Sequence, residues 1–421
     1  MTSAATAHAT EGFGPDNLPY GSFSTAARQE RRLGVRLGDR VLDLGALADA
    51  TTARGPALGP EASAVVHAAD LDPMLAAGRP VWDEVRAWLQ AVVTADDADE
   101  LVTAASVPVA EVSLHLPFTV ADYVDGYASE NHAANVGRIF RPEQAPLLPN
   151  WKRLPVGYHG RAGTVVVSGT DVRRPKGLRP EPDGGPSFGP SRRLDIEAEL
   201  AFVLGGSAPA GEVPIARAAD HLFGVVVLND WSARDVQAYE YVPLGPYLGK
   251  SFASSISPWV VPFAALDAAR VEPPRRDEPI ADYLDDTAEP WGLDVTVTTT
   301  IDDDVIARSP ARTLYWTAPQ FLAHMTVNGA GLRPGDLIGT GTISGTDRDQ
   351  RGSLLEITWG GAEPLDLASG RSMTFLEDGQ TVTMSATAPG RDGAVIAFGD
   401  VTGRILPATE AGATPTAAPA R

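Results

Sequence analysis

A mainly β protein with some α, built as two domains, is what this sequence predicts, and three observations lead there. Its 421 residues exceed the size at which one hydrophobic core usually keeps growing. From residue 118 onward the chain runs in short β-rich segments cut by Gly and Pro loops. Before that point lie a hairpin signal and one long amphipathic helix.

In order, Asn17-Leu-Pro-Tyr-Gly21 is turn-rich, and Leu33 to Leu37 and Val41 to Leu44 read as two strands joined at Gly38-Asp39, a hairpin-type turn between apolar runs. Residues 52–70, rich in Ala, Gly and Pro, read as loop and weak helix. Trp82, Val85, Trp88, Leu89 and Val92 recur at helical spacing, so 80–94 is a helix whose tryptophans belong to a core. Ser113 to Phe118 marks a boundary, giving domains 1–117 and 118–406. Strands are expected at Thr164 to Val167, Ile196 to Leu204, Gly224 to Leu228, Leu293 to Thr300, Leu354 to Trp359, Thr381 to Ala386 and Val395 to Phe398, with a helix at Pro319 to Val327. This is a pattern of mixed sheets. The Ala, Thr and Pro tail, 407–421, is expected to be disordered.

A formal charge of -20 argues against a sequence-independent binder of nucleic acid or anionic membrane, since phosphate affinity needs clustered Lys and Arg. Without cysteine there is no disulfide, thiolate metal site or cysteine nucleophile, and any metal must take oxygen or imidazole ligands. Met1 to Glu11 lacks a signal-peptide pattern, and no apolar run reaches the roughly 20 residues that span a bilayer. A soluble cytoplasmic protein is expected.

The chemistry-bearing residues fall into three groups. In Asp195-Ile-Glu-Ala-Glu-Leu200, strand alternation puts Asp195, Glu197 and Glu199 on one face and Ile196, Ala198 and Leu200 on the other. A solvated acidic face is one reading. The apolar continuation to Leu204 favours burial, where carboxylates must be protonated, paired or bound to a cation. Asp230 ends an apolar strand and is either a helix N-cap or a fourth acid; with Asp125 it would complete an all-oxygen site suited to Ca²⁺ or Mg²⁺. Arg234, Gln237 and Tyr241 lie at i, i+3 and i+7 on one helical face, where an Arg and an amide can donate to an oxyanion or, on a wet surface, simply pair with Asp235 or Glu240. Lys250 lies in an apolar Gly-rich loop, a candidate point charge for the same anion. His132, one of only seven histidines, stands among acids and phenols; were 122–132 helical, it would share a face with Asp125 and Ser129. Gly126 weighs against a helical start there.

Across roughly 15–406, in order, the chain resembles the fumarylacetoacetase family of the full-length two-domain type. The resemblance is carried by Asn17-Leu-Pro-Tyr-Gly21, Leu148-Pro-Asn-Trp151, Leu154-Pro-Val-Gly-Tyr-His-Gly-Arg161, Val165-Val-Val-Ser-Gly-Thr170, Asn229-Asp-Trp-Ser-Ala-Arg-Asp235, Val242-Pro-Leu-Gly-Pro246, Gly249-Lys-Ser-Phe252, Ser257-Pro-Trp-Val-Val261, Leu332-Arg-Pro-Gly-Asp336 and Gly341-Thr-Ile-Ser-Gly345. It implies a small SH3-like barrel before a mixed-sheet β-roll catalytic domain, a homodimer, and hydrolysis of a carbon-carbon bond in a diketo dicarboxylic acid. It also implies a Ca²⁺ held by Asp125, Glu197, Glu199 and Asp230, with Mg²⁺ near Asp230, Lys250 and Ser254, the last standing where a Thr is usual. His132 matches the water-activating base and Glu356 the acid that orients it. Arg234, Gln237 and Lys250 match oxyanion donors; Tyr127, Arg141, Tyr158, Gln237, Tyr241 and Thr342 match substrate-binding positions. Gly126 lies where an aromatic is more usual and Arg138 where an apolar residue is, which bears on one wall of the pocket. A hydrolase of a related acylpyruvate or other β-diketo acid is the alternative enzyme, and a non-catalytic Ca²⁺-dependent carboxylate-binding protein the alternative of another class.

Overall fold

The expected hairpin forms: strands Arg32–Leu37 and Arg40–Asp43 pair antiparallel around Gly38, whose φ of 59° suits glycine. They belong to a five-stranded sheet whose order is Ser106–Pro108, Arg40–Asp43, Arg32–Leu37, Tyr20–Thr25, Val112–His115. In this computed structural model, residues 11–52, 57–208 and 211–409 are described. The segment 1–10 and all but the first three residues of the 407–421 tail therefore lie outside the described residues, as does part of 52–70. What is described of 52–70 includes the helix Pro60–Val66, opened by Pro at its first turn. A helix that was not expected, Leu44–Thr51, precedes it, capped by Asp43, whose Oδ1 accepts the Ala46 N–H at 3.2 Å.

The periodic segment is the helix Arg79–Val93, burying Trp82, Val85, Trp88, Leu89 and Val92 as expected. That face packs in a core shared with Ala201, Val203, Val226, Leu228 and Leu337 of the following sheet. The sheet has eight strands, with a main order Gly157–His159, Asp122–Gly126, Asp336–Gly339, Ala198–Leu204, Leu222–Asp230, Ser254–Ile256, Val165–Val167. Two of its pairings are parallel, Asp336–Gly339 with Asp122–Gly126 and Ser254–Ile256 with Val165–Val167, so the sheet is mixed. A six-stranded sheet including Thr296–Ile301, Asp304–Pro310, Thr381–Pro389 and Val401–Leu406 packs on the opposite face, where Leu200, Phe202, Val225 and Val227 join Val297 and Met384 in a second core.

One expected strand is wrong. Leu354–Ile357 is a helical turn, not part of a strand Leu354 to Trp359. Ser353 caps it, its hydroxyl accepting the Glu356 N–H and donating to Oε2 of Glu356 at 2.9 Å. The Ser-Leu-Leu-Glu spacing is that of a capping box, a signal stronger than an apolar run of four. The segment 122–132 is also not one helix: Asp125 lies on a strand, and Ser129 caps the helix Glu130–Phe140 that carries His132.

Alternation along Asp122–Gly126 turns Gly126 away from Asp125. A Cβ there would lie 2.6 Å from the Gly339 carbonyl oxygen and 2.7 Å from the Phe321 ring. The ring of Phe321, from the helix Ala318–Thr326, thus fills the space a side chain at 126 would need. We expect Gly126→Ala to destabilise the fold by about 1–3 kcal/mol, because the nearest obstacle is backbone and cannot swing aside. Chemical denaturation at equilibrium checks this; an unchanged midpoint refutes the packing argument.

Candidate active site

The acidic face of the central sheet assembles the site. Glu199 on Ala198–Leu204, Glu197 in the short gap after Leu194–Asp195, Asp125 on Asp122–Gly126 and Asp230 at the end of Leu222–Asp230 each offer one oxygen within 4.8 Å of the others. All four are buried, none more than 4% exposed. Asp195 does not join them. It accepts from Arg234 Nε at 2.7 Å and from the N–H groups of Leu354 at 2.7 Å and Leu355 at 2.9 Å. The backbone break after Asp195 separates its role from that of Glu197 and Glu199.

Cations neutralise one side of the cluster. Lys250, buried, donates to Asp230 Oδ2 at 2.7 Å and to Glu197 Oε2. Arg234 Nη2 stands 2.8 Å from Glu197 Oε1, an ion pair. Burial alone would raise the Glu197 carboxyl, but Lys250 and then Arg234 overcome it and hold the group below the usual carboxylate range. Ser254 Oγ donates to Asp230 Oδ1 at 2.7 Å, and Tyr158 donates to Asp125 Oδ2.

Asp125 Oδ1 and Glu199 Oε1 are buried without a partner. Burial, then the charges of neighbouring acids, pushes both carboxyls well above their ordinary range. Two orphaned carboxylate oxygens from two strands, beside the acids of Glu197 and Asp230, are a donor set suited to an oxygen-seeking divalent cation, and buried groups of this kind are costly without one. The residues present fit a metal ion.

Across the cleft, His132 Nδ1 lies 2.6 Å from Glu356 Oε2 and its Nε2 3.8 Å from Glu197 Oε1. Glu356 is fully buried and also accepts from Asn135 Nδ2 at 3.0 Å, Ser344 Oγ at 2.9 Å and Ser353 Oγ at 2.9 Å. Burial would push this carboxyl up; the His132 imidazole and the hydrogen bonds from His132, Asn135 and Ser344 outweigh it and hold Glu356 ionised. An ionised Glu356 can only accept, so Nδ1 carries a proton toward it, and Nε2 is the ring nitrogen left to the cleft. The Tyr127 ring meets the imidazole edge-on, centroids 5.4 Å apart.

The helix Arg234–Glu240 supplies Arg234 and Gln237, and Tyr241 caps it. Arg234 Nη1 donates to Gln237 Oε1 at 3.1 Å, which turns the Gln237 amide nitrogen outward as a donor. These residues bound a cleft of about 370 Å³ that also touches Tyr127, Arg141, Tyr158 and Thr342. Arg141 Nε and Thr342 Oγ1 are buried there without partners. The structure therefore brings together every site residue that the family resemblance implies, with Ser254 seated behind Asp230, and leaves Asp195 outside the cluster. Sequence reasoning missed Asn135, Ser344 and Ser353. Asn135 was within reach as the i+3 neighbour of His132, and Ser353 through its capping spacing; Ser344 had no local signal.

The chain matches two family models over almost its whole length: "Fumarylacetoacetase N-terminal" over residues 16–117 and "Fumarylacetoacetate (FAA) hydrolase C-terminal" over 122–406. It is 44% identical to the fumarylacetoacetase of Rattus norvegicus over 408 residues, covering 93% of this chain and 96% of that one. Against those of Arabidopsis thaliana and Homo sapiens the identities are 44% and 43%, each at 93% coverage of this chain and 95% and 96% of theirs. Among solved structures, a fumarylacetoacetate hydrolase from Exiguobacterium antarcticum superposes with a TM-score of 0.55 at 16% identity, covering 93% of this chain and 99% of that one, which shows a shared fold. By both family models and by identity to relatives across animals and plants, the chain belongs to the fumarylacetoacetase family.

Proposed function

We propose that the protein is a hydrolase that cleaves 4-fumarylacetoacetate with water to fumarate and acetoacetate, the last step of tyrosine and phenylalanine catabolism. The observation that carries this reading is the His132 imidazole, hydrogen-bonded through Nδ1 to Glu356, with Nε2 3.8 Å from the nearest acid of a four-carboxylate cluster, in a cleft where Arg141 Nε and Thr342 Oγ1 are unpartnered.

Water is a poor nucleophile toward a ketone. His132 Nε2 takes its proton as the oxygen attacks the carbonyl carbon, and the ionised Glu356 stabilises the imidazolium that forms. The alkoxide that results accepts hydrogen bonds from Arg234 Nη2, the Gln237 amide and Lys250; preorganised donors of this kind each contribute about 3–4 kcal/mol at an oxyanion. Collapse of the alkoxide breaks the carbon-carbon bond, the electron pair leaving on the acetoacetate fragment as an enolate, and the proton on His132 returns to that carbon. Asp125, Glu197, Glu199 and Asp230 would hold a Ca²⁺, which would supply Lewis-acid stabilisation of enolate charge. Asp230, Lys250 and Ser254 would neighbour a Mg²⁺. Arg141, Tyr127, Tyr158, Tyr241 and Thr342 bind the carboxylates and keto oxygens of the substrate, which accounts for cationic and phenolic groups inside an acidic protein. A cytoplasmic homodimer, as the family resemblance implies, is part of this reading. No helix among the described residues is long and apolar enough to cross a membrane.

The test is the loss of fumarylacetoacetate absorbance on addition of protein, before and after exhaustive chelation, with an acylpyruvate as competitor substrate. Turnover abolished by chelation and restored by calcium is expected. Faster turnover of the acylpyruvate would reassign the substrate, and turnover indifferent to metal would remove the cation from the reaction.

A further inference from the structure

Tyr123 lies two residues before Asp125 on the strand Asp122–Gly126, so both side chains project from the same face of the sheet. That face changes character along its length. At one end Ala201, Val203, Leu228 and Leu337 form the core that the amino-terminal helices cover, and Tyr123 belongs to it. At the other end stand the four acids. The Tyr123 ring packs closely against Gly160, where a Cβ would lie 2.3 Å from the ring.

The hydroxyl of Tyr123 is on the border between the two. The residue is 1% exposed, yet its oxygen has no hydrogen-bond partner, a rare and costly state for a buried phenol. Gly339, on the neighbouring strand, shows what the oxygen faces. A Cβ at 339 would lie 2.9 Å from Glu199 Oε2 and 3.4 Å from the Tyr123 oxygen, so these two oxygens flank the same small hollow. The opposing acids, Glu199 and Asp125, carry the unpartnered oxygens Oε1 and Oδ1. A phenol is ordinarily protonated at neutral pH, and so it is a donor.

We infer that Tyr123 is a positioning residue of the cation site: its unpartnered hydroxyl borders, from the closed, amino-terminal side, the hollow that Glu199 Oε2 also borders, and it donates to the Glu199 carboxylate and sets the direction of its ligand oxygen once a cation is bound. A donor behind a ligating carboxylate fixes its orientation, and removal of such a partner typically lowers metal affinity by about 10–100-fold. The amino-terminal domain gains a part in the chemistry by this route, since its core seats the ring that positions Glu199.

The inference rests on the metal reading of the cluster, and one titration separates the two. Chelator-stripped protein is titrated with calcium chloride by calorimetry, wild type beside Tyr123→Phe, which keeps the ring and removes one oxygen. The expected result is a dissociation constant raised about 10–100-fold in the variant, with stoichiometry and circular dichroism unchanged. Equal affinity in a folded variant overturns the role of Tyr123 alone, and no calcium binding by wild type overturns the metal reading and this inference with it. A second readout keeps Tyr123 in place in case phenylalanine is not tolerated. Calcium added to Tyr158→Phe, which lacks the other phenol on the cluster, is expected to perturb the near-ultraviolet tyrosine band, and a flat difference spectrum at calcium saturation overturns the proposal.

Discussion

His132→Ala is expected to lower kcat for fumarylacetoacetate by about 10²–10⁴-fold, the range for loss of a positioned general base, while leaving KM and calcium affinity within a few-fold of wild type. The separation follows from geometry. His132 Nε2 stands 3.8 Å from Glu197 Oε1, too far for a hydrogen bond, so removing the imidazole takes no ligand and no donor from the acidic cluster. The helix survives because its cap is elsewhere, in the Ser129 hydroxyl that accepts the His132 backbone N–H at 3.2 Å. Glu356 loses one of four donors and keeps Asn135, Ser344 and Ser353. Steady-state kinetics on the purified variant, with calcium titration beside it, is the check. A variant that binds calcium and turns over at the wild-type rate would leave a carboxylate-binding protein with incidental hydrolysis, not the mechanism above.

The same residues show where local sequence informs and where it stops. Alternation in Glu197-Ala-Glu-Leu was enough to place Glu197 and Glu199 on one face and Ala198 and Leu200 on the other, because a strand's period is fixed by its backbone. Helical spacing did the same for Trp82, Val85 and Trp88, and for the face that carries Arg234 and Gln237. Convergence was another matter. Asp125 meets Glu199 because Asp336–Gly339 lies between their strands, parallel to one and antiparallel to the other, and no local pattern encodes a pairing across more than 200 residues. Asp195 shows the opposite failure: it has the right period, but the chain breaks after it and its carboxylate turns to Arg234. The run Leu354-Leu-Glu-Ile was ambiguous by hydrophobicity, and only the cap at Ser353 decides it. Membership of the His132–Glu356 pair was legible by resemblance, whereas the hydroxyls that hold Glu356 ionised come from loops without periodicity.

Glu199→Gln is expected to abolish the calcium-dependent rise in thermal midpoint while leaving the chelated protein no less stable than chelated wild type. In the chelated state Glu199 is a liability: buried, close to Asp125, Glu197 and Asp230, and pushed well above the carboxylate range by burial and by those charges. An amide in its place keeps an oxygen to accept the Gly341 N–H, now bonded at 3.0 Å, and removes a carboxyl whose ionisation burial and the neighbouring acids oppose. Lys250 and Arg234 continue to neutralise Glu197, and Lys250 and Ser254 continue to serve Asp230, so nothing else in the cluster is orphaned. With calcium the sign reverses. A ligand present at a hundred times its dissociation constant stabilises the native state by about 2.7 kcal/mol, and this term falls away when one of the four carboxylates that would hold the cation is lost. The two halves guard each other. A variant less stable when chelated would indicate damaged packing, whereas an undiminished calcium shift would mean that the cation binds somewhere other than among these four acids. Differential scanning fluorimetry with and without calcium, on both proteins, reads both halves. Loss of turnover in the variant should then track loss of the calcium shift, since the acids act on the reaction only through the ion they hold.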